Sequence, residues 1–276
     1  MDRTITFLLA AALLANPAGA QVNEKQHQQM TREALTKQTY HALFGGEALT
    51  GQGNDPELMN ILQQFIFGDV FHSGVLNDRQ RELIIIVTLT AQQALPQLKA
   101  HTNAALNVGV TPIEVREAVY QCGPYIGYPR TLNAVGVINE VFKERGIALP
   151  LAAQGTVSES DRMAKGKAIQ DSLYGSEIAD AMKTLPAGFD HAVPDLLTGG
   201  NFGDFYTRGG LDVKTRELLM YCVLATLGAE FQLKAHVRGS LKAGNTKEEM
   251  IAAMVQCIGY IGFPAAINAI TIIRNN

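Results

Sequence analysis

The chain has 276 residues, enough for one large domain or two ordinary ones. Hydrophobic residues make up 47% and charged residues 18%, which supports a packed core and argues against disorder. The net charge of −3 leaves no basic footprint for nucleic acid, and no stretch in the body of the chain reads as an uninterrupted membrane span, so neither partner is expected.

The opening MDRTITFLLAAALLANPAGAQ has Arg3 near its start, an apolar run from Ile5 to Ala15, then Pro17 and the small residues Ala18-Gly19-Ala20. That is the layout of a secretory signal peptide cleaved after Ala20, and it predicts a periplasmic or secreted mature protein. No Cys follows the cleavage point, so no lipid anchor is expected. The three cysteines, Cys122, Cys222 and Cys257, are an odd number with no C-x-x-C, which excludes a disulfide framework.

Met30–Phe44 reads as the first helix of the body. Leu83–Leu89, LIIIVTL, could be a strand by composition, but it runs into Ala-rich sequence and is read as a buried helix. Gln97–His101, QLKAH, lies on the next helix. Gly109 ends that helix, and Thr111-Pro-Ile-Glu114 then opens another with a capping box and Pro at its first position. Val135–Arg145 is the last helix before Gly146. Ala148–Asp161, rich in small and polar residues, reads as a linker. Arg162–Tyr174 then starts the pattern again.

Shifted by 135 residues, QLKAH falls on QLKAH at Gln232–His236, and the register holds without a gap for more than sixty residues. Phe67-Gly68-Asp69 meets Phe202-Gly203-Asp204, Arg81-Glu82-Leu83 meets Arg216-Glu217-Leu218, and Thr111 and Glu114 meet Thr246 and Glu249. Gln121-Cys122 meets Gln256-Cys257, and Tyr125-Ile126-Gly127 meets Tyr260-Ile261-Gly262. Upstream the register slips, so that Leu43-Phe44-Gly45 resembles Leu173-Tyr174-Gly175. The chain is a duplicated all-α domain, with copies over 21–147 and 162–276 joined by 148–161.

Glu82, Gln97 and His101 recur as Glu217, Gln232 and His236. Gln and His four apart share a helix face, and a short turn lets the Glu-bearing helix pack beside them. A buried carboxylate can then bond one imidazole nitrogen while the Gln amide and the other nitrogen face a common small cavity, a general acid/base arrangement. The competing reading is a satisfied core histidine, since duplication preserves structural residues too. Arg81 and Arg216 either orient a substrate carboxylate or form surface ion pairs; the surface pair is favoured. No third ligand stands at helical spacing from Glu217 and His236, so no metal is expected. His72 and His191 have no counterparts in the other copy and are given no role.

The second copy, LDVKTRELLMYCVLATLGAEFQLKAHVRGSLKAGNTKEEMIAAMVQCIGYIGFPAAINA, resembles the carboxymuconolactone decarboxylase family, and the first copy matches more loosely. The resemblance implies an all-α fold assembled into trimers or hexamers, hence a homo-oligomer here, with the tandem chain forming a pseudo-symmetric pair. The alkylhydroperoxidase-like branch of the family carries Glu, then C-x-x-C, then His. Here that frame reads Glu82, Ala94-Leu-Pro-Gln97, His101 and Glu217, Ala229-Glu-Phe-Gln232, His236, so both redox cysteines are missing from both copies. A thiol peroxidase needs those sulfurs, which disfavours an antioxidant role. The other branch decarboxylates a carboxylated lactone without a cofactor, by holding the carboxylate out of conjugation, stabilising the oxyanion and protonating carbon. The resemblance is tighter in the second copy, so His236 with Glu217 is expected to be the principal site and the first copy a degenerate partner. A non-catalytic helical binding protein remains an alternative.

Overall fold

A computed structural model describes residues 30–276; the expected signal peptide lies outside the described residues. The first copy comprises α1 (Arg32–Phe44), α2 (Pro56–Gln63), α3 (Asp78–Gln92), α4 (Leu95–Asn107), α5 (Pro112–Gln121), α6 (Gly123–Ile126) and α7 (Tyr128–Glu144). The second comprises α8 (Arg162–Tyr174), α9 (Glu177–Met182), α10 (Phe189–Leu197), α11 (Val213–Leu227), α12 (Glu230–Lys242) and α13 (Lys247–Asn275). No strand occurs among the described residues. LIIIVTL is helical and buried along its whole length in α3, because a helix apolar on every side belongs in the interior.

The predicted caps form. Thr111 and Thr246 each accept the backbone N–H of the Glu three residues on, and Glu114 and Glu249 each accept the Thr backbone N–H at 2.7 Å. α3 has a third capping box, between Asn77 and Gln80. α13 is long and apolar enough to cross a membrane by length and composition alone. It is broken at Gly262 (φ 79°, ψ 162°), as the first copy is broken at Gly127 (φ 84°, ψ 151°), backbone angles that only glycine adopts without strain.

Each copy also carries a π-helical segment, Gln64–Asp69 and Thr198–Tyr206, and these hold the repeated Phe-Gly-Asp. The repeat has a packing cause. A Cβ on Gly68 would stand 2.6 Å from the Thr36 hydroxyl, and one on Gly203 would stand 2.7 Å from the Arg162 carbonyl, so glycine lets the segment press against α1 or α8. The adjoining Asp69 and Asp204 pair with Arg32 and Arg162 of those same helices.

Residues Thr31–Asn276 form one compact unit with a core shared by the copies. α3 packs on α11 and α13, and α11 packs on α5 and α6. The seam explains the two repeated arginines and corrects the surface-pair expectation, because Arg81 and Arg216 are 2% and 0% exposed. Arg81 donates to the carbonyls of Val70, Ser73 and Leu76 and, across the seam, to Gln256 Oε1 at 2.7 Å. Arg216 does the same with the carbonyls of Arg208, Gly209 and Leu211 and with Gln121 Oε1 at 2.9 Å. A guanidinium with five fixed donors can close a chain turn and clamp the opposite copy together. Glu117, fully buried, adds a one-sided cluster that Arg116, Arg208 and Arg216 surround. Its counterpart by the 135-residue shift is Ala252, so the internal symmetry is broken there.

Candidate active site

The paired helices bring each Glu to its His across 19 residues of sequence, α3 with α4 and α11 with α12. His101 Nδ1 donates to Glu82 Oε2 at 2.9 Å, and His236 Nδ1 reaches Glu217 Oε2 at 3.2 Å. Both carboxylates are fully buried, and the imidazoles are nearly so, with side chains 9% and 12% exposed. A carboxylate at Nδ1 fixes the proton there and turns Nε2 outward as the free nitrogen.

The Gln part of the predicted constellation takes another position. Gln97 and Gln232 lie exposed one turn before the histidines, and neither amide bonds an imidazole. Each comes at the third residue of its helix, so a side chain on that first turn points past the helix end toward solvent. The two described pockets also lie away from the histidines. One, about 360 Å³, is lined by Met163, Lys167, Gln170 and Asp195 among others; the second, about 320 Å³, is lined by Glu230, Lys234 and Asn268 among others.

What faces each imidazole comes from the opposite copy. Tyr260 of α13 stands edge-on to His101, with its hydroxyl 3.4 Å from Nε2. Tyr125 of α6 stands edge-on to His236, ring centroids 5.8 Å apart. The repeat already paired Tyr125 with Tyr260, but their placement beside the other copy's histidine needs the fold. Burial first, then the Glu82 charge, pushes the Tyr260 phenol well above its ordinary range, so it remains a neutral donor.

The two sites differ in their walls. In the first copy the wall is Phe44, edge-on to His101 at 5.6 Å. Glu82 Oε1 has no hydrogen-bond partner among the described residues. Burial pushes the Glu82 carboxyl up, and its bond and charge contact with His101 oppose that. In the second copy Tyr174 replaces Phe44. Its hydroxyl donates to Glu217 Oε2 at 2.6 Å and lies 3.0 Å from His236 Nδ1. Tyr206 donates to Glu217 Oε1 at 2.6 Å, while its hydroxyl meets that of Tyr125 at 3.2 Å. Asn201 donates to the Tyr125 hydroxyl at 3.4 Å. Tyr174 and Tyr206 carry no motif that marks them as site residues, although the alignment of Leu-Phe-Gly with Leu-Tyr-Gly held the signal for Tyr174.

Cys122, Cys222 and Cys257 are free and wholly buried, and burial pushes the Cys122 thiol far up. Among the described residues no group of three or more His, Cys, Asp or Glu is arranged to hold a metal.

The sequence pattern of the Carboxymuconolactone decarboxylase family matches residues 56–140 and again 191–275, more than half of the chain. A 4-carboxymuconolactone decarboxylase of Acinetobacter baylyi is 34% identical over 92 residues, which cover 33% of this chain and 69% of that protein. A nitrosuccinic acid decarboxylase of Metarhizium robertsii is 31% identical over 84 residues, covering 30% of this chain and 59% of that protein. A 15.0 kDa protein of Paracoccus denitrificans is 40% identical over 76 residues, covering 27% of this chain and 57% of that protein. With a glutamate and a histidine joined in each half and the family pattern occurring twice, the chain belongs to the carboxymuconolactone decarboxylase family, as a decarboxylase-like enzyme with two tandem copies of the domain.

Proposed function

We propose that the protein is a cofactor-free carboxy-lyase acting on a small carboxylated lactone or a related acid whose electron pair can be delocalised after CO₂ is lost. The carrying observation is the buried 2.9 Å bond between Glu82 and His101 Nδ1, with Nε2 facing a phenol. The two decarboxylase relatives suggest the substrate class, because their substrates share one feature. In each, the carboxylate can leave its electron pair in an acceptor, an unsaturated lactone carbonyl in one and a nitro group in the other. The C–CO₂⁻ bond breaks, CO₂ departs, and the pair enters the acceptor as a dienolate or nitronate. A protonated imidazole then gives its Nε2 proton to carbon and is reprotonated from solvent, while the glutamate holds the ring. A neutral tyrosine hydroxyl supplies a hydrogen bond to the developing oxyanion.

The test is CO₂ release from 4-carboxymuconolactone and from nitrosuccinate, with wild type and the H101A/H236A double variant. Turnover lost in the double variant supports the reading; undiminished turnover removes both histidines from the chemistry. Export, with the mature chain starting at Gln21, belongs to the same proposal. So does self-association into a trimer. Exposed apolar residues recur in register, Leu58 with Val193, Ile61 with Leu196, Tyr128 with Phe263 and Leu132 with Ile267. Exposure kept apolar in both copies fits a surface that a second copy of the chain covers. Light scattering on the purified protein checks the mass.

A further inference from the structure

The internal duplication invites the view that both sites work, or that the second works better. Their hydrogen bonding points the other way. In the second copy every polar group that touches the carboxylate is spoken for, while His236 Nε2 has no partner among the described residues. Asn201 donates to Tyr125, Tyr125 meets Tyr206, Tyr206 and Tyr174 each donate to Glu217, and His236 Nδ1 is shared between Tyr174 and Glu217. A phenol has one proton, and Tyr174 and Tyr206 both spend theirs on the carboxylate. Tyr125, the residue delivered to face His236, has its hydroxyl among Tyr206 and Asn201 instead.

The first copy lacks every lock. The counterparts of Tyr174, Tyr206 and Asn201 are Phe44, Phe71 and Ile66. Among the described residues Glu82 therefore bonds His101 alone, and its buried Oε1 is left without a hydrogen bond. Tyr260 has no tyrosine or asparagine to turn to, so its hydroxyl stands at His101 Nε2. The lock also has a steric companion. Gly239, one turn beyond His236, makes room for Tyr174, because a Cβ there would come within 2.5 Å of the phenol oxygen. Its counterpart is Ala104, so the space exists only where the tyrosine does.

We propose that turnover belongs to the first copy, with His101, Glu82 and Tyr260 as the working group, and that Tyr174 and Tyr206 hold the second copy's His–Glu pair in a closed, non-reacting network. The active site is thus made from both copies: the first gives the acid/base and the second gives the phenol. This rests on the lyase reading. It reverses the expectation from sequence that the second copy is the principal site, since closeness to a family pattern reports ancestry and not the hydrogen bonding of one carboxylate.

The test compares H101N and H236N, each first shown by circular dichroism to be folded, for CO₂ release from 4-carboxymuconolactone. H101N is expected to lose at least 30-fold more activity than H236N, and Y260F to lose about ten-fold in kcat with little change in KM. Adding Y174F and Y206F to H101N is expected to recover part of the lost rate by unlocking the second site. A larger loss in H236N, or equal losses, overturns the proposal. A second measurement is independent of turnover. Protein labelled with ¹³C at the imidazole Cε1 is titrated with 5-oxotetrahydrofuran-2-carboxylate, a saturated lactone acid that cannot form the dienolate. The His101 resonance is expected to move and the His236 resonance to stay. Movement of His236 alone, of both, or of neither overturns the proposal, whereas lack of turnover with a His101 shift removes only the substrate assignment.

Discussion

The contrast between the two glutamates predicts opposite responses to one substitution, Glu→Gln, which keeps shape and removes charge. At Glu217 three donors converge on the carboxylate: Tyr174 and Tyr206 at 2.6 Å and His236 at 3.2 Å. A Gln carbonyl can satisfy one side, but the NH₂ then meets a hydroxyl proton on the other, and every surviving bond loses its charge assistance. Hydrogen bonds to charged groups contribute about 1.5–3 kcal/mol each, so Glu217→Gln is expected to cost about 3 kcal/mol. For a chain of this size that corresponds to a fall of about 6–12 °C in Tm. At Glu82 only His101 donates, and a Gln carbonyl can still accept from it. The change also removes a buried charge, so Glu82→Gln is expected to be neutral or stabilising. The advantage depends on pH. Burial raises the Glu82 pKa in the folded state above the ordinary 4.5, so the folded chain holds this proton more tightly than the unfolded one. The Glu82 contribution to stability therefore falls as pH rises from 4.5 through the raised pKa, and the advantage of Glu82→Gln grows over the same window. Urea unfolding at pH 5 and pH 8, followed by circular dichroism at 222 nm, measures both. A Glu217→Gln protein as stable as wild type, or a Glu82→Gln protein losing as much as Glu217→Gln, would refute the hydrogen-bond argument.

Other outcomes follow from the same structure. Glu117→Ala leaves three arginines around an empty place at the seam and is expected to cost about 3–5 kcal/mol in urea unfolding, far more than a surface Glu→Ala. Gly166→Ala puts a Cβ 2.5 Å from the Gly203 backbone nitrogen, and the overpacking is expected to exceed the roughly 1 kcal/mol that alanine gains in a helix, lowering Tm. At the caps, burial works to raise the Glu114 and Glu249 pKa values, but bonds from Thr111 and Arg79, and from Lys214 and Thr246, outweigh it and hold them below 4.5. Their contribution is complete above the unfolded value and is lost as pH falls through the folded one; E114Q and E249Q should therefore cost stability at pH 7 and little at pH 2, by thermal melting, whereas T111A and T246A, which remove only a hydroxyl accepting a backbone N–H, should cost about 1 kcal/mol at both. The three buried thiols should ignore a thiol reagent in the native protein and react once it is denatured, and C122S and C257S should leave peroxide consumption unchanged.

Much of this architecture is local and was readable in order. The caps at Thr111 and Thr246 depend on residues three apart, and the buried helix Asp78–Gln92 on an apolar run. The Glu–His pairing needs only two neighbouring helices and a short turn, so sequence spacing was sufficient to place Glu82 at His101 and Glu217 at His236. The sequence does not show that Arg81 and Arg216 are buried, because their partners are backbone carbonyls, which any residue supplies, and a glutamine 175 or 95 residues away. Gln97 and Gln232 share a helix face with the histidines, but shared face does not settle which way a first-turn side chain leans.

The sequence alone determined a duplicated helical domain with a carboxylate and an imidazole joined in each half, because periodicity, caps and i,i+4 spacing act over a few residues. The tertiary structure alone decided what surrounds each pair. Tyr260 reaches His101 from 159 residues away, and Tyr174 reaches Glu217 from 43. A phenylalanine and a tyrosine fit the same packed position, and only the neighbours brought by folding decide whether the extra hydroxyl has a carboxylate to bind.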